Sequence, residues 1–122
     1  MDIAHILQCS AKEHNDKPAL IFKDEVISFA QLKDNVFKLA NGLKSIGVIK
    51  SSKIAIYLPN CPAYVYSYLS GFCAGAVIIP LDYALKTDEL ITCLRHAQVQ
   101  YFIALPKPDI DLDYIKEQVP SI

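Results

Sequence analysis

Hydrophobic positions along the chain switch between two spacings, and each switch marks an element. From residue 2 to about residue 14, Ile3, Ile6, Leu7 and Ala11 recur at helical spacing. This predicts a short amphipathic helix, broken by Asn15-Asp16-Lys17-Pro18. Ala19-Leu20-Ile21-Phe22 and Val26-Ile27 then flank Lys23-Asp24-Glu25, the pattern of a small β-hairpin. Helical spacing returns with Leu32, Val36, Leu39, Ala40, Leu43 and Ile46 on one face, while Lys33, Asp34, Lys38 and Lys44 fall on the water side. Ser28 is placed to cap this helix, Gln31 three residues on can complete a capping box, and Gly47 supplies a left-handed residue to end it.

Beyond Lys53 the pattern becomes short apolar strands separated by helices. Lys53 to Leu58 reads as a buried strand. A helix follows to about Ala74, with Asn60 as its expected N-cap and Pro62 in its first turn. Ala76 to Ile79 is the next strand, ended by Pro80. Thr87 is the expected cap of a third helix, with Asp88 and Glu89 favourable against its dipole. Gln100 to Ala104 is the last strand. The expected fold class is therefore α/β: a parallel-sheet βαβαβ unit with right-handed crossovers, preceded by a small hairpin and helix. Residues 1–105 form one piece of a domain. Residues 106–122, with Pro106, Pro108 and Pro120, read as a linker around a short helix.

Composition narrows the function classes. With 122 residues, 52% hydrophobic and 20% charged, the chain folds and can bury one real core. Its mean hydropathy of +0.25 is high for a small soluble domain. Apolar surface meant to lie against further polypeptide would account for that. The expected partner is thus the remainder of the same polypeptide, and the chain by itself is expected to self-associate. A net charge of -1 and no basic stripe exclude nucleic acid as a partner. Ile54 to Leu81 carries no charge and is long enough to span a bilayer. Pro59, Asn60, Pro62 and Pro80 interrupt it, however, and a buried helix followed by a buried strand explains it without a transmembrane segment. Cys9, Cys61, Cys73 and Cys93 form no CxxC pair, and Asp2 and His5 interrupt any secretory signal, so the expected compartment is the reducing cytoplasm.

No constellation of residues rises to a site. Gly42 to Gly47 superficially matches a phosphate-binding loop, but Val48-Ile49 stands where Lys and Ser or Thr are needed, and the stretch ends a helix where it should open one. Gly71 and Gly75 have the spacing of membrane helix dimers, yet small residues there equally let a helix end approach a sheet. Asp109, Asp111 and Asp113 start like a calcium loop, but Tyr114 and Pro120 occupy the glycine and glutamate positions. Cys93 and His96 offer two ligands where structural zinc wants four. No serine lies in a GxSxG motif. Accordingly no catalytic, cofactor-binding or metal-ligating residue is assigned.

Five stretches, taken in order, resemble the opening of the adenylate-forming superfamily, which includes acyl-CoA synthetases and peptide-synthetase adenylation domains. Pro18-Ala19-Leu20-Ile21 with Ile27-Ser28-Phe29-Ala30-Gln31-Leu32 resembles its "PAL…(T/S)YxEL" start. Leu39-Ala40-Asn41-Gly42-Leu43 and Ile46-Gly47-Val48 resemble "LAxxL…GV". Ile56 to Cys61 resembles "xxLPNxxE", although Ala63 stands near the usual acid. Phe72 to Asp82 resembles "KAGAxxVPLD", and Glu89-Leu90 the "EL" after it. Ser51-Ser52-Lys53 and Phe72-Cys73 depart from the pattern at scaffold positions. The likeness runs from about residue 5 to 105.

The resemblance implies the first part of a larger adenylate-forming N-terminal domain. It implies a parent ligase that couples ATP, with Mg, to a carboxylate through an acyl-adenylate and then forms a thioester with coenzyme A. The family's phosphate loop, acyl pocket and catalytic lysine come after this segment, so the segment is expected to be scaffold, inactive by itself. Tyr83-Ala84-Leu85-Lys86 leans toward fatty acyl-CoA ligases. The alternative is a stand-alone α/β interaction or binding module derived from the same scaffold.

Overall fold

The structure, a computed structural model, describes residues 2–122. Helix α1 (Ile3–Glu13) is capped by Asp2, whose carboxylate accepts from the His5 N–H at 2.8 Å. Strands β1 (Pro18–Phe22) and β2 (Glu25–Ser28) pair antiparallel, with Ile21 opposite Val26. Lys23 makes the turn possible by taking φ 53°. Helix α2 (Phe29–Ser45) opens with both halves of the capping box: Gln31 N–H donates to Ser28 Oγ at 3.1 Å, and Ser28 N–H donates to Gln31 Oε1 at 2.9 Å. Leu32, Val36, Ala40 and Leu43 are buried along it. Ile46 is not part of that face and stands 65% exposed. It caps the helix, and Gly47 at φ 110° turns the chain away before the side chain reaches the core.

Strand β3 (Lys53–Tyr57), helix α3 (Pro62–Cys73), strand β4 (Val77–Pro80), helix α4 (Thr87–Ala97), strand β5 (Tyr101–Ala104) and helix α5 (Leu112–Gln118) follow. The three strands form one parallel sheet in the order β4-β3-β5, with Ile54 between Ile78 and Tyr101. Alternation along β3 divides the core. Ala55 and Tyr57 pack with Leu90 and Leu94 of α4 and Ile115 of α5. On the other side Ile54 packs with Leu43, Val48 and Ala74. Helices therefore cover both faces, as an all-parallel sheet requires. A third cluster, with Leu7, Ile27, Leu32 and Val36, joins the hairpin to α1 and α2.

Two expected caps move by one residue. Helix α3 is capped by Cys61, not Asn60, and no side chain bonds to its first turn. Extended backbone at Cys61, φ -159°, delivers the Pro62 ring to the first helical position, where its missing N–H costs nothing. Helix α4 starts at Thr87 with Lys86 as the cap residue. A lysine side chain has no acceptor, so the bond runs the other way, from the Lys86 N–H to the Glu89 carboxylate at 3.3 Å.

The chain beyond β5 is held more firmly than a linker. Its short helix is present as α5, and Ile110, Ile115 and Val119 are buried in the cluster around Leu90. Arg95 donates to the Gln118 carbonyl at 2.6 Å and to its side-chain oxygen at 2.8 Å. The prolines limit helix length here, but the apolar residues between them still find the sheet.

Candidate functional site

Parallel sheets gather their crossover loops at the carboxyl ends of the strands, which is where α/β folds place ligands. Here a cleft of about 510 Å³ opens beside the ends of β3 and β4. Leu58 and Leu81 form a buried floor, and Asn60, Tyr64, Asp82 and Tyr83 supply the polar rim. Asp82 Oδ1 accepts from the Ala84 N–H at 2.9 Å, which fixes the turn after β4. Burial pushes the Tyr64 phenol above its ordinary pKa, and Tyr68 nearby adds to the shift, so Tyr64 remains neutral. The rim thus offers one carboxylate, one amide and two phenols, with no cation among its lining residues. Such a surface can accept and donate hydrogen bonds. It has no charge to neutralise a phosphate.

Behind Tyr83 lies a tighter arrangement. Tyr57, at the end of the central strand, is fully buried. Its hydroxyl faces the carbonyls of Tyr83 at 3.0 Å and Leu85 at 2.8 Å. Lys107, on the segment after β5, donates to the Tyr57 hydroxyl at 3.0 Å and also to the Tyr83 carbonyl. Sequence reading missed this group: Tyr57 looks like one more strand residue, and Lys107 lies among prolines fifty positions away. Only the parallel pairing of β3 with β5 brings them together.

The constellations weighed from the sequence stay apart. Gly47 ends α2, and a Cβ there would meet the Tyr101 hydroxyl at 3.0 Å, leaving no cradle for a phosphate. Gly71 does serve close helix-to-sheet approach, since a Cβ on it would sit 2.1 Å from Ile78 Cδ1. Asp111 caps α5 by accepting from the Tyr114 N–H at 2.9 Å, and Asp109 pairs with Lys86 at 2.6 Å. Cys93 and His96 both lie on α4, Cys93 packing against the core while His96 is exposed. Among the described residues no three His, Cys, Asp or Glu side chains converge as metal ligands. No helix among them is long and apolar enough to cross a membrane.

Comparison with known proteins gives this geometry its context. A long-chain-fatty-acid–CoA ligase of Bacillus subtilis is 35% identical over 100 residues, covering 82% of this chain and 18% of the relative. A crotonobetaine/carnitine–CoA ligase of Salmonella paratyphi A is 29% identical over 98 residues, covering 76% of this chain and 19% of the relative. The chain therefore spans less than a fifth of the length of these curated relatives. Among solved structures, the anthranilate CoA ligase AuaEII in complex with anthranoyl-AMP superposes with a TM-score of 0.90 at 21% identity, over 100% of this chain and 24% of that one. The coronafacic acid ligase of Pectobacterium brasiliense superposes with a TM-score of 0.85 at 26% identity, over 99% of this chain and 24% of that one. The family model described as AMP-binding enzyme matches residues 7–121, nearly the whole sequence, and the chain belongs to the AMP-binding enzyme family.

Proposed function

We propose that this chain is the opening scaffold of an ATP-dependent ligase that activates a carboxylic acid as an acyl-adenylate and passes it to coenzyme A. A fatty acid is the proposed substrate class. The observation that carries the reading is the 35% identity to the long-chain-fatty-acid–CoA ligase over 82% of this chain. The residues present do not fit a nucleotide triphosphate: the cleft rim carries Asp82 and no cation, and the Gly47 turn is filled by Tyr101. Phosphoryl chemistry needs cations and donors on the transferring group, so no step of the reaction is assigned to side chains of this chain. Its part is to hold the sheet and loops against which the remaining machinery packs.

The test is a chimera in which this chain replaces the matching segment of the Bacillus subtilis ligase. Exchange of labelled pyrophosphate into ATP is then measured with acids of increasing chain length and with aryl acids. The expected result is exchange by the chimera that depends on a long-chain acid, and none by the 122-residue chain alone. Exchange by the isolated chain would overturn the scaffold reading. A properly folded chimera that is inert with every acid would overturn the equivalence with the relative's scaffold.

A further inference from the structure

We infer that the groups around Tyr57 form an ammonium-binding box, and that the Lys107 side chain is its built-in ligand, latching the segment 105–111 over the carboxyl ends of the sheet. The Tyr57 hydroxyl carries one proton, and that proton is directed at the carbonyls of Tyr83 and Leu85, 3.0 and 2.8 Å away. Its lone pairs are left facing Lys107 Nζ at 3.0 Å. The Tyr83 carbonyl accepts from the same ammonium. The Nζ also lies 4.0 Å from the centroid of the Tyr83 ring and 5.2 Å from that of Tyr57. The two rings are 4.7 Å apart and tilted by 46°, so they wall two sides of the space.

Every group turned toward that position is an oxygen acceptor or an aromatic face. A cation bearing N–H donors satisfies all of them together. Emptied, the box would leave the Tyr57 hydroxyl oxygen without a donor and the Tyr83 carbonyl with the Tyr57 O–H alone, which is costly in a partly buried space walled by rings. Lysine suits it because its ammonium is compact and presents three donors on a flexible stem.

The box is built from β3 and the β4–α4 loop, whereas its occupant comes from the chain after β5. Occupancy therefore ties two loops together at the end of the sheet. Weaker ties run alongside on the surface: Lys86 to Asp109 at 2.6 Å and the Tyr83 hydroxyl to the Leu105 carbonyl at 3.4 Å. The ligand class is a primary alkylammonium, and the latch is independent of which acid the protein handles.

The experiment uses the full chain with Lys107→Ala and follows amide hydrogen exchange across residues 81–86. Exchange is measured in rising n-butylammonium chloride, in sodium chloride of equal ionic strength and in tetramethylammonium chloride, which has no N–H to donate. The expected result is exchange about tenfold faster than in the native chain, from loss of a charge-assisted hydrogen bond and a cation–π contact. Butylammonium should restore protection saturably, and the other two salts should not. Native protection in Lys107→Ala, or a loss that butylammonium reverses no better than sodium chloride, would overturn the box. Should the alanine variant fail to fold, Lys107→Met keeps the stem without the charge. It is expected to fold and to exchange as fast as the open box, and native protection in it would show that stem packing alone holds the segment.

Discussion

A methyl group added at Gly71 of α3 would lie 2.1 Å from Ile78 Cδ1 and 2.9 Å from its Cγ1, so Ile78 must leave its rotamer. At Gly42 of α2 the same methyl group meets nothing within 4 Å. Gly71→Ala is accordingly expected to lose about 1–2 kcal/mol, overpacking outweighing the better helix propensity of alanine. Gly42→Ala is expected to gain about 0.5–1 kcal/mol from propensity alone. Gly75→Val should lose about 1–3 kcal/mol, because Gly75 holds φ 79°, a conformation costly for a β-branched residue. Urea midpoints of the three variants check the set, and equal shifts at Gly71 and Gly42 would contradict the close approach of α3 to β4. The thiols give a second residue-scale contrast. Cys9 is exposed, with its sulfur 3.6 Å from His5 Nε2. Burial pushes the Cys73 thiol above its ordinary pKa, and Asp2 adds to that against the opposing pull of Lys44. An aromatic disulfide reagent at neutral pH should therefore modify Cys9 first and Cys73 slowly. Peptide mapping of the partly labelled protein reads the order directly.

Between elements, the Lys86–Asp109 pair joins the loop before α4 to the loop before α5. The hydrogen bond from Lys86, helped by the charges of Lys86 and Lys107, holds the Asp109 carboxyl below its ordinary pKa. The same bond and the Asp109 charge raise Lys86. A lowered carboxylate contributes stability that is complete above its unfolded pKa and lost as pH falls through the folded one. A raised lysine contributes stability that is complete below its unfolded pKa and lost as pH rises through the folded one. The pair is thus intact at neutral pH and fades only at the acid and alkaline limits. Solvent screens it, so its share of stability is small. Comparing melting temperatures of the native chain and Asp109→Asn should show a modest difference at neutral pH that closes on acidification. A difference that widens in acid would reverse the assigned sign.

For the molecule as a whole, the two outer strands of the parallel sheet differ as edges. Val77 and Leu81 donate to Ser52 and Ile56, so the intervening Ile78 and Pro80 turn their nitrogens outward, and proline has no N–H to offer. Strand β5 has no such block between Tyr101 and Ala104, and apolar Phe102 and Ala104 border a groove with Leu112 and Ile122 beside it. An open strand edge flanked by apolar side chains recruits other strands. The isolated chain is expected to self-associate, and light scattering over a concentration series tests this. Leu105 donates to Tyr57, so the alternate Ala104 nitrogen turns away from β3, and replacing Ala104 with proline should weaken the association by removing that outward N–H. A monomer at every concentration would contradict it.

The local pattern of apolar, capping and breaking residues is enough to find the hairpin, all five helices and the three-strand parallel unit, because each is written in neighbouring positions. The capping box at Ser28 and Gln31 was equally legible, since its partners lie three residues apart. The five motifs in order also carried the family, which the match over residues 7–121 establishes. Cap positions at Cys61 and Lys86 were decided by backbone conformation, which residue identity constrains only loosely. Ile46 has the spacing of the buried face but lies where the helix stops. The packing of Ile110, Ile115 and Val119 depended on α4 standing over the same sheet face. Tyr57, Tyr83 and Lys107 meet only because parallel pairing brings the ends of β3, β4 and β5 to one side of the sheet. Local sequence sets which elements form. Contacts between residues far apart in the chain become visible only when the register of the sheet is fixed.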